Sequence, residues 1–117
     1  MRNDYSVIHS AMREIETVAP GIRRQVLGYG PDLMVCRVEF EIGAVGDAHR
    51  HMHSQVSYVE SGRFRVHIAG TPSVLTRGDS FYVGPEVDHG AECLEAGVLI
   101  DTFSPHRADF IAQELSA

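Results

Sequence analysis

Along residues 32–43, DLMVCRVEFEIG, apolar and polar residues alternate. Met34, Cys36, Val38, Phe40 and Ile42 fall on one side, and Arg37, Glu39 and Glu41 on the other. A period of two sends successive side chains to opposite faces of a strand, so this stretch predicts a strand with one buried face. Residues 57–70, SYVESGRFRVHIAG, read as two strands joined by a turn at Ser61-Gly62. In the second of them Phe64, Val66 and Ile68 alternate with Arg63, Arg65 and His67. Residues 73–89 predict a short strand, a turn at Arg77-Gly78-Asp79 and a further strand through Val83. GVLIDTF, 97–103, predicts another strand, stopped by Ser104-Pro105.

Helix signals are confined to the ends. Ser10 is placed to cap AMREIETVA, with Pro20-Gly21 as its stop, and PHRADFIAQEL (105–115) predicts a short helix with Pro105 at its first position. Short strands with tight turns between them predict a small all-β barrel or sandwich with short helical ends. No linker, repeat or second domain interrupts the pattern. The chain divides into an N-terminal arm (1–20), a barrel (21–104) and a C-terminal segment (105–117).

At 117 residues the chain suits one modest core, or half of a dimeric one. Ten basic against sixteen acidic residues give a formal charge of −6, which argues against sequence-independent nucleic-acid binding. No apolar run is long enough to span a bilayer, and MRNDYSVIHSAMREIE is too polar for a signal peptide. Cys36 and Cys93 lack metal-ligand or redox-motif spacing and read as reduced thiols packed like small hydrophobes. A cytoplasmic location without membrane or nucleic-acid partners is the expectation.

Against this background AHRHMHSQVSYVESG, 48–62, stands out, with histidines at 49, 51 and 53 and a glutamine at 55. Residues i and i+2 of a strand share a face, so His49 and His51 can hold one ion together. Gln55 can add a side-chain oxygen, and His89, beyond the GPEVD turn, is the candidate fourth ligand. His53 has the same parity but is expected beside the site or facing solvent. His67 is expected to be exposed, and Tyr58 and Tyr82 to pack in the core.

The spacing resembles the cupin family. Its first motif, G(x)5HxH(x)3-4E(x)6G, fits GAVGDAHRHMHSQVSYVESG, with Gln55 at the usual glutamate. The second, G(x)5PxG(x)2H(x)3N, fits GDSFYVGPEVDHGAEC more loosely. Gly78 and His89 match, whereas Gly84, Glu86 and Cys93 stand at the proline, glycine and asparagine positions. The resemblance implies a double-stranded β-helix, or jelly-roll barrel, with His49, His51, Gln55 and His89 as metal ligands at its mouth. That set suits a divalent zinc, nickel, iron or manganese ion, and its chemistry does not choose among them.

Residues 20–112 also look like the KdgF-type pectin degradation proteins, the cupins that linearise unsaturated uronates. The tail DTFSPHRADF, which the general cupin pattern does not require, is the most specific piece. This resemblance implies catalytic roles for Asp101, Phe103 and Arg107, a small anionic sugar as substrate, and a homodimer. Asp101 and Phe103 share strand parity, so both can face one pocket. Two rival readings remain open from the sequence: a metal-dependent cupin dioxygenase and a non-catalytic sugar-binding cupin. Gln55 leans against the first, because redox iron sites often carry a carboxylate ligand.

Overall fold

A computed structural model describes residues 4–115, with side chains described through Ile111. The described residues form eight strands: β1 (Ile15–Ala19), β2 (Ile22–Gly30), β3 (Leu33–Phe40), β4 (Val45–His49), β5 (Ser54–Ile68), β6 (Thr71–Thr76), β7 (Ser80–Val83) and β8 (His89–Ser104). Helix α1 (Ala108–Leu115) follows. Every pairing is antiparallel, in the order β1-β2-β3-β8-β5-β6, with β4 added to β8 and β7 to β5.

Two long strands make this a jelly-roll barrel rather than a flat sheet. β5 pairs along its length with β8, but its first half also takes β7 and its second half β6. β8 likewise meets β4 near its start and β3 towards its end. Each long strand therefore serves two small sheets and bends where it passes between them.

The bend in β5 is at Ser61-Gly62, where the sequence pattern predicts a turn. The strand instead continues through register shifts between Val59 and Phe64. Gly62 has a φ of 83°. A Cβ there would lie 2.6 Å from the Glu95 carbonyl oxygen on the neighbouring strand. Glycine is thus needed for both the bend and the close approach.

The inward parity of β3 is as expected, with Met34, Cys36, Val38 and Phe40 buried. Ile42 departs from it: β3 ends at Phe40, and Ile42 lies exposed in the turn beyond. Phe64 meets Phe40 edge-on at 5.1 Å in the core, which also takes Val59, Val66, Leu99 and Ile111. Both cysteines are free and buried.

The N-terminal helix is a correction. Only Ser10–Met12 turn, as one 3-10 turn without a side-chain cap, and Ile15–Ala19 pair with β2 instead. β-branched Ile15, Thr17 and Val18 suit that strand, and sheet pairing overrides a weak local helix signal. Tyr58 and Tyr82 also differ from expectation and face outwards. Among the described residues no helix is long and apolar enough to cross a membrane.

Candidate metal centre

Three segments bring the histidines to one end of the barrel. β4 ends at His49, which stands opposite His89, the first residue of β8. The shared strand expected for His49 and His51 stops at His49, and His51 sits in the bend beyond. The Glu86 N–H donates to the His51 carbonyl at 2.7 Å and ties that bend to the turn before β8. Glu86 occupies the second-motif glycine position, and it keeps the left-handed conformation of such a site, with φ 62°.

Ring centroids lie 4.5 Å apart for His49 and His89, 4.9 Å for His51 and His89, and 5.5 Å for His49 and His51. One nitrogen from each ring lies within 4.8 Å of the other two, so the trio could hold a metal ion. Their outer nitrogens share one pattern. Nδ1 of His49, His51 and His89 lies 2.9 Å from the carbonyl of Asp47, His53 and Val87, respectively. A carbonyl only accepts, so Nδ1 carries a proton in each ring, and in the neutral ring Nε2 keeps a lone pair. Burial lowers the pKa of His89, which favours the neutral ring that ligation needs.

Gln55, the second residue of β5, lies on its inward face and is buried. Its Oε1 lies 2.9 Å from His51 Nε2 and 3.2 Å from His89 Nε2. Its Nε2 donates to Ser57 Oγ at 2.8 Å, and Ser57 Oγ donates to Asp101 Oδ1 at 2.6 Å. An amide oxygen facing imidazole lone pairs brings acceptors together with no proton between them, an arrangement that a cation satisfies. Neutral N and O donors so gathered fit a divalent ion.

Beside the histidines is a cavity of about 160 Å³, lined in part by His49, Gln55, His89, Asp101, Phe103 and Arg107. Its volume lies below the range of drug-sized pockets and admits one small molecule at most. Burial raises the Asp101 pKa to about 6, although the Ser57 hydroxyl and the Arg107 and Arg24 guanidinium charges pull it down. Phe103 is buried and meets His51 edge-on at 5.9 Å. Arg107 forms a two-point pair with Asp109 at 3.0 and 2.9 Å, not with Asp101, and its guanidinium lies 4.1 Å from the Phe110 ring centre. His53 lies beside the trio, half-buried, with its pKa lowered by burial. His67 is exposed, as expected.

Sequence reasoning missed three residues. Ser57 had one signal, a hydroxyl at the inward parity of an otherwise apolar run. Phe110 closes the DTFSPHRADF tail but had no role assigned to it, and Arg24 had no signal. Arg24 also lines the cavity, stacks on Phe110 at 3.5 Å and bonds Glu16 at 2.7 Å, while its buried Nε has no partner.

A jelly-roll barrel with three convergent imidazoles at one end defines a small cupin with a histidine cluster that could hold a metal ion. The Cupin domain family matches residues 36–103. The pectin degradation protein KdgF of Dickeya dadantii (strain 3937) is 44% identical over 98 residues, covering 82% of this chain and 89% of that protein. An RmlC-like cupin from Shewanella frigidimarina NCIMB 400 superposes with a TM-score of 0.84 at 50% identity, across 93% of this chain and 96% of that one. KdgF from Halomonas sp. does so with a TM-score of 0.85 at 38% identity, across 91% and 98%. The chain belongs to the cupin family and, within it, to the KdgF-type pectin degradation proteins.

Proposed function

We propose that this protein is a metal-dependent isomerase that converts 4,5-unsaturated uronic acids, the end products of pectin or alginate lyases, from the ring form to the linear keto form. The observation that carries the reading is convergence: Asp101, Phe103 and Arg107 line the same cavity as His49, Gln55 and His89. Similarity to KdgF proteins supplies the substrate class.

His49, His51, Gln55 and His89 would hold a divalent ion, which would supply Lewis-acid polarisation of a substrate oxygen. The chain's own residues do the rest. Arg107 takes the sugar carboxylate with paired N–H donors in place of Asp109. Phe103 gives the ring an apolar wall. As the C1–ring-oxygen bond breaks, the C1 hydroxyl loses its proton and becomes an aldehyde. The ring oxygen leaves as the C5 enolate, which becomes a ketone when C4 gains a proton. Asp101 accepts the first proton and delivers the second, so the reaction consumes nothing. A carboxyl with a pKa near 6 is mostly ionised at neutral pH yet readily protonated.

The homodimer belongs to the same reading and is supported by an apolar row on the outer sheet face. Val35, Thr102, Val56 and Tyr82 stand side by side across β3, β8, β5 and β7, and Val56 and Tyr82 are exposed. A monomer by light scattering at micromolar concentration contradicts it. We place the protein in the cytoplasm, where both buried thiols stay reduced.

Proton NMR of an unsaturated uronic acid tests the activity, with spontaneous opening in buffer as the reference. The expected result is faster loss of the vinylic C4 signal, without oxygen uptake. Substrate-dependent oxygen uptake by the iron-loaded protein would make it a dioxygenase instead. Tight binding of the sugar unchanged would make it a binding protein.

A further inference from the structure

Ser57 is fully buried and bridges the metal centre to the acid–base residue. A hydroxyl has one proton, and two acceptors compete for it here: the Asp101 carboxylate and, were the Gln55 amide turned over, the Gln55 oxygen. These give two arrangements of opposite polarity. In the first, Ser57 donates to Asp101 and receives a bond from the Gln55 NH2, which leaves the Gln55 oxygen facing the histidines. In the second, Ser57 donates to the Gln55 oxygen, and the NH2 faces the Nε2 lone pairs of His51 and His89. The second satisfies those lone pairs without a metal and removes a ligand. The first leaves them open and keeps the carboxylate bonded.

We infer that Ser57 is the positioning residue that holds the Gln55 amide oxygen toward His51 and His89, by giving its single proton to Asp101. A charged acceptor outcompetes a neutral amide oxygen for that proton, and the 2.6 Å contact to Asp101 is the arrangement found. The inference also explains why glutamine stands at the glutamate position of the cupin motif. A glutamate at 55 has no N–H to give, so one hydroxyl proton would lie between two carboxylates. The neutral amide lets Asp101 keep its hydrogen bond while position 55 still presents an oxygen. Ser57 thereby joins ligand geometry to the acid–base group without touching substrate.

This inference rests on the metal-centre reading above, and the test separates the two. Zn2+ affinity is measured by chelator competition for wild type, Ser57→Ala and Ser57→Thr, with thermal unfolding of the metal-free proteins as the control for folding. In parallel, the Gln55 side-chain amide protons are located by NMR in the metal-free proteins. The expected result is Zn2+ affinity about tenfold weaker in Ser57→Ala, the worth of one buried hydrogen bond, and recovered in Ser57→Thr. In wild type the amide protons lie near Ser57; in Ser57→Ala they lie near the His51 and His89 rings. Equal Zn2+ affinity of wild type and Ser57→Ala, or an amide that stays in place without the hydroxyl, would overturn the inference. Failure of wild type itself to bind Zn2+ would overturn the metal-centre reading and this inference with it, and the wild-type result alone reveals that case.

Discussion

The Asp101 carboxyl is held by burial at a pKa of about 6 instead of an ordinary 3.8, and Asp101→Asn isolates what that costs the fold. The folded protein binds this proton more tightly than the unfolded chain does. Well below pH 4 both states are protonated, and the group makes no pH-dependent contribution. Between about pH 4 and 6 the unfolded chain gives up the proton first, so the wild type loses stability as pH rises. Above about pH 6 the loss is complete, at about 3 kcal/mol, taking about 1.36 kcal/mol for each step of one in pKa. Asparagine has no such proton but still offers Ser57 an acceptor oxygen. Its buried NH2, left unpartnered, costs about 1 kcal/mol at every pH. The quantity to measure is therefore the change with pH: from pH 4 to 7 the variant should gain roughly 2 kcal/mol relative to wild type, most of the full span. Urea unfolding of both chelator-treated proteins at several pH values measures it. Glu39 and Asp109, whose pKa values are lowered by arginine partners, are common to both proteins and largely cancel. Parallel stability curves across this window would refute the reasoning. The same variant should retain the metal and lose turnover, because a destabilising buried acid is kept for its chemistry.

Other expected outcomes follow from named contacts. His51→Ala removes a member of the histidine trio and should abolish stoichiometric metal binding, measured by metal analysis after gel filtration. Arg107→Lys replaces a two-point donor with a point charge and should raise KM by about tenfold with metal content unchanged; an unchanged KM would remove the clamp role. Glu86→Gly relieves a left-handed non-glycine residue and should stabilise the protein by about 0.5–1 kcal/mol in urea unfolding. A less stable variant would show that the Glu86 side chain contributes more than its conformation costs.

What the sequence disclosed depended on whether the signal was local. Alternation in 34–40 exposed the core face of β3, because a period of two directly reports which side is buried. The spacing of His49, His51 and His89 was readable because each histidine sits at a strand end or bend with a fixed offset. The Ser61-Gly62 bend was misread because a glycine at positive φ marks turns and bulges alike. Only the long-range partner, β8, shows that β5 continues. Ile15–Ala19 was misread for a related reason: pairing with β2 decides its conformation. Tyr58 and Tyr82 could not be placed by aromatic character alone, since the outer sheet face also carries apolar residues. Arg24 and Phe110 come to the cavity from opposite ends of the chain, and nothing in either local pattern announces the meeting. Ser57 lay between these cases: its parity was visible, but its purpose needed both Gln55 and Asp101 in space.

The measurement that bears most directly on the central claim is a metal titration of the linearisation rate. Chelator-stripped protein is mixed with a 4,5-unsaturated uronic acid, and the rate above buffer is followed as divalent ion is added back. The account predicts no excess rate in stripped protein, a linear rise with added metal, and a break at one equivalent per chain. Stripped protein that works as fast as loaded protein would contradict it.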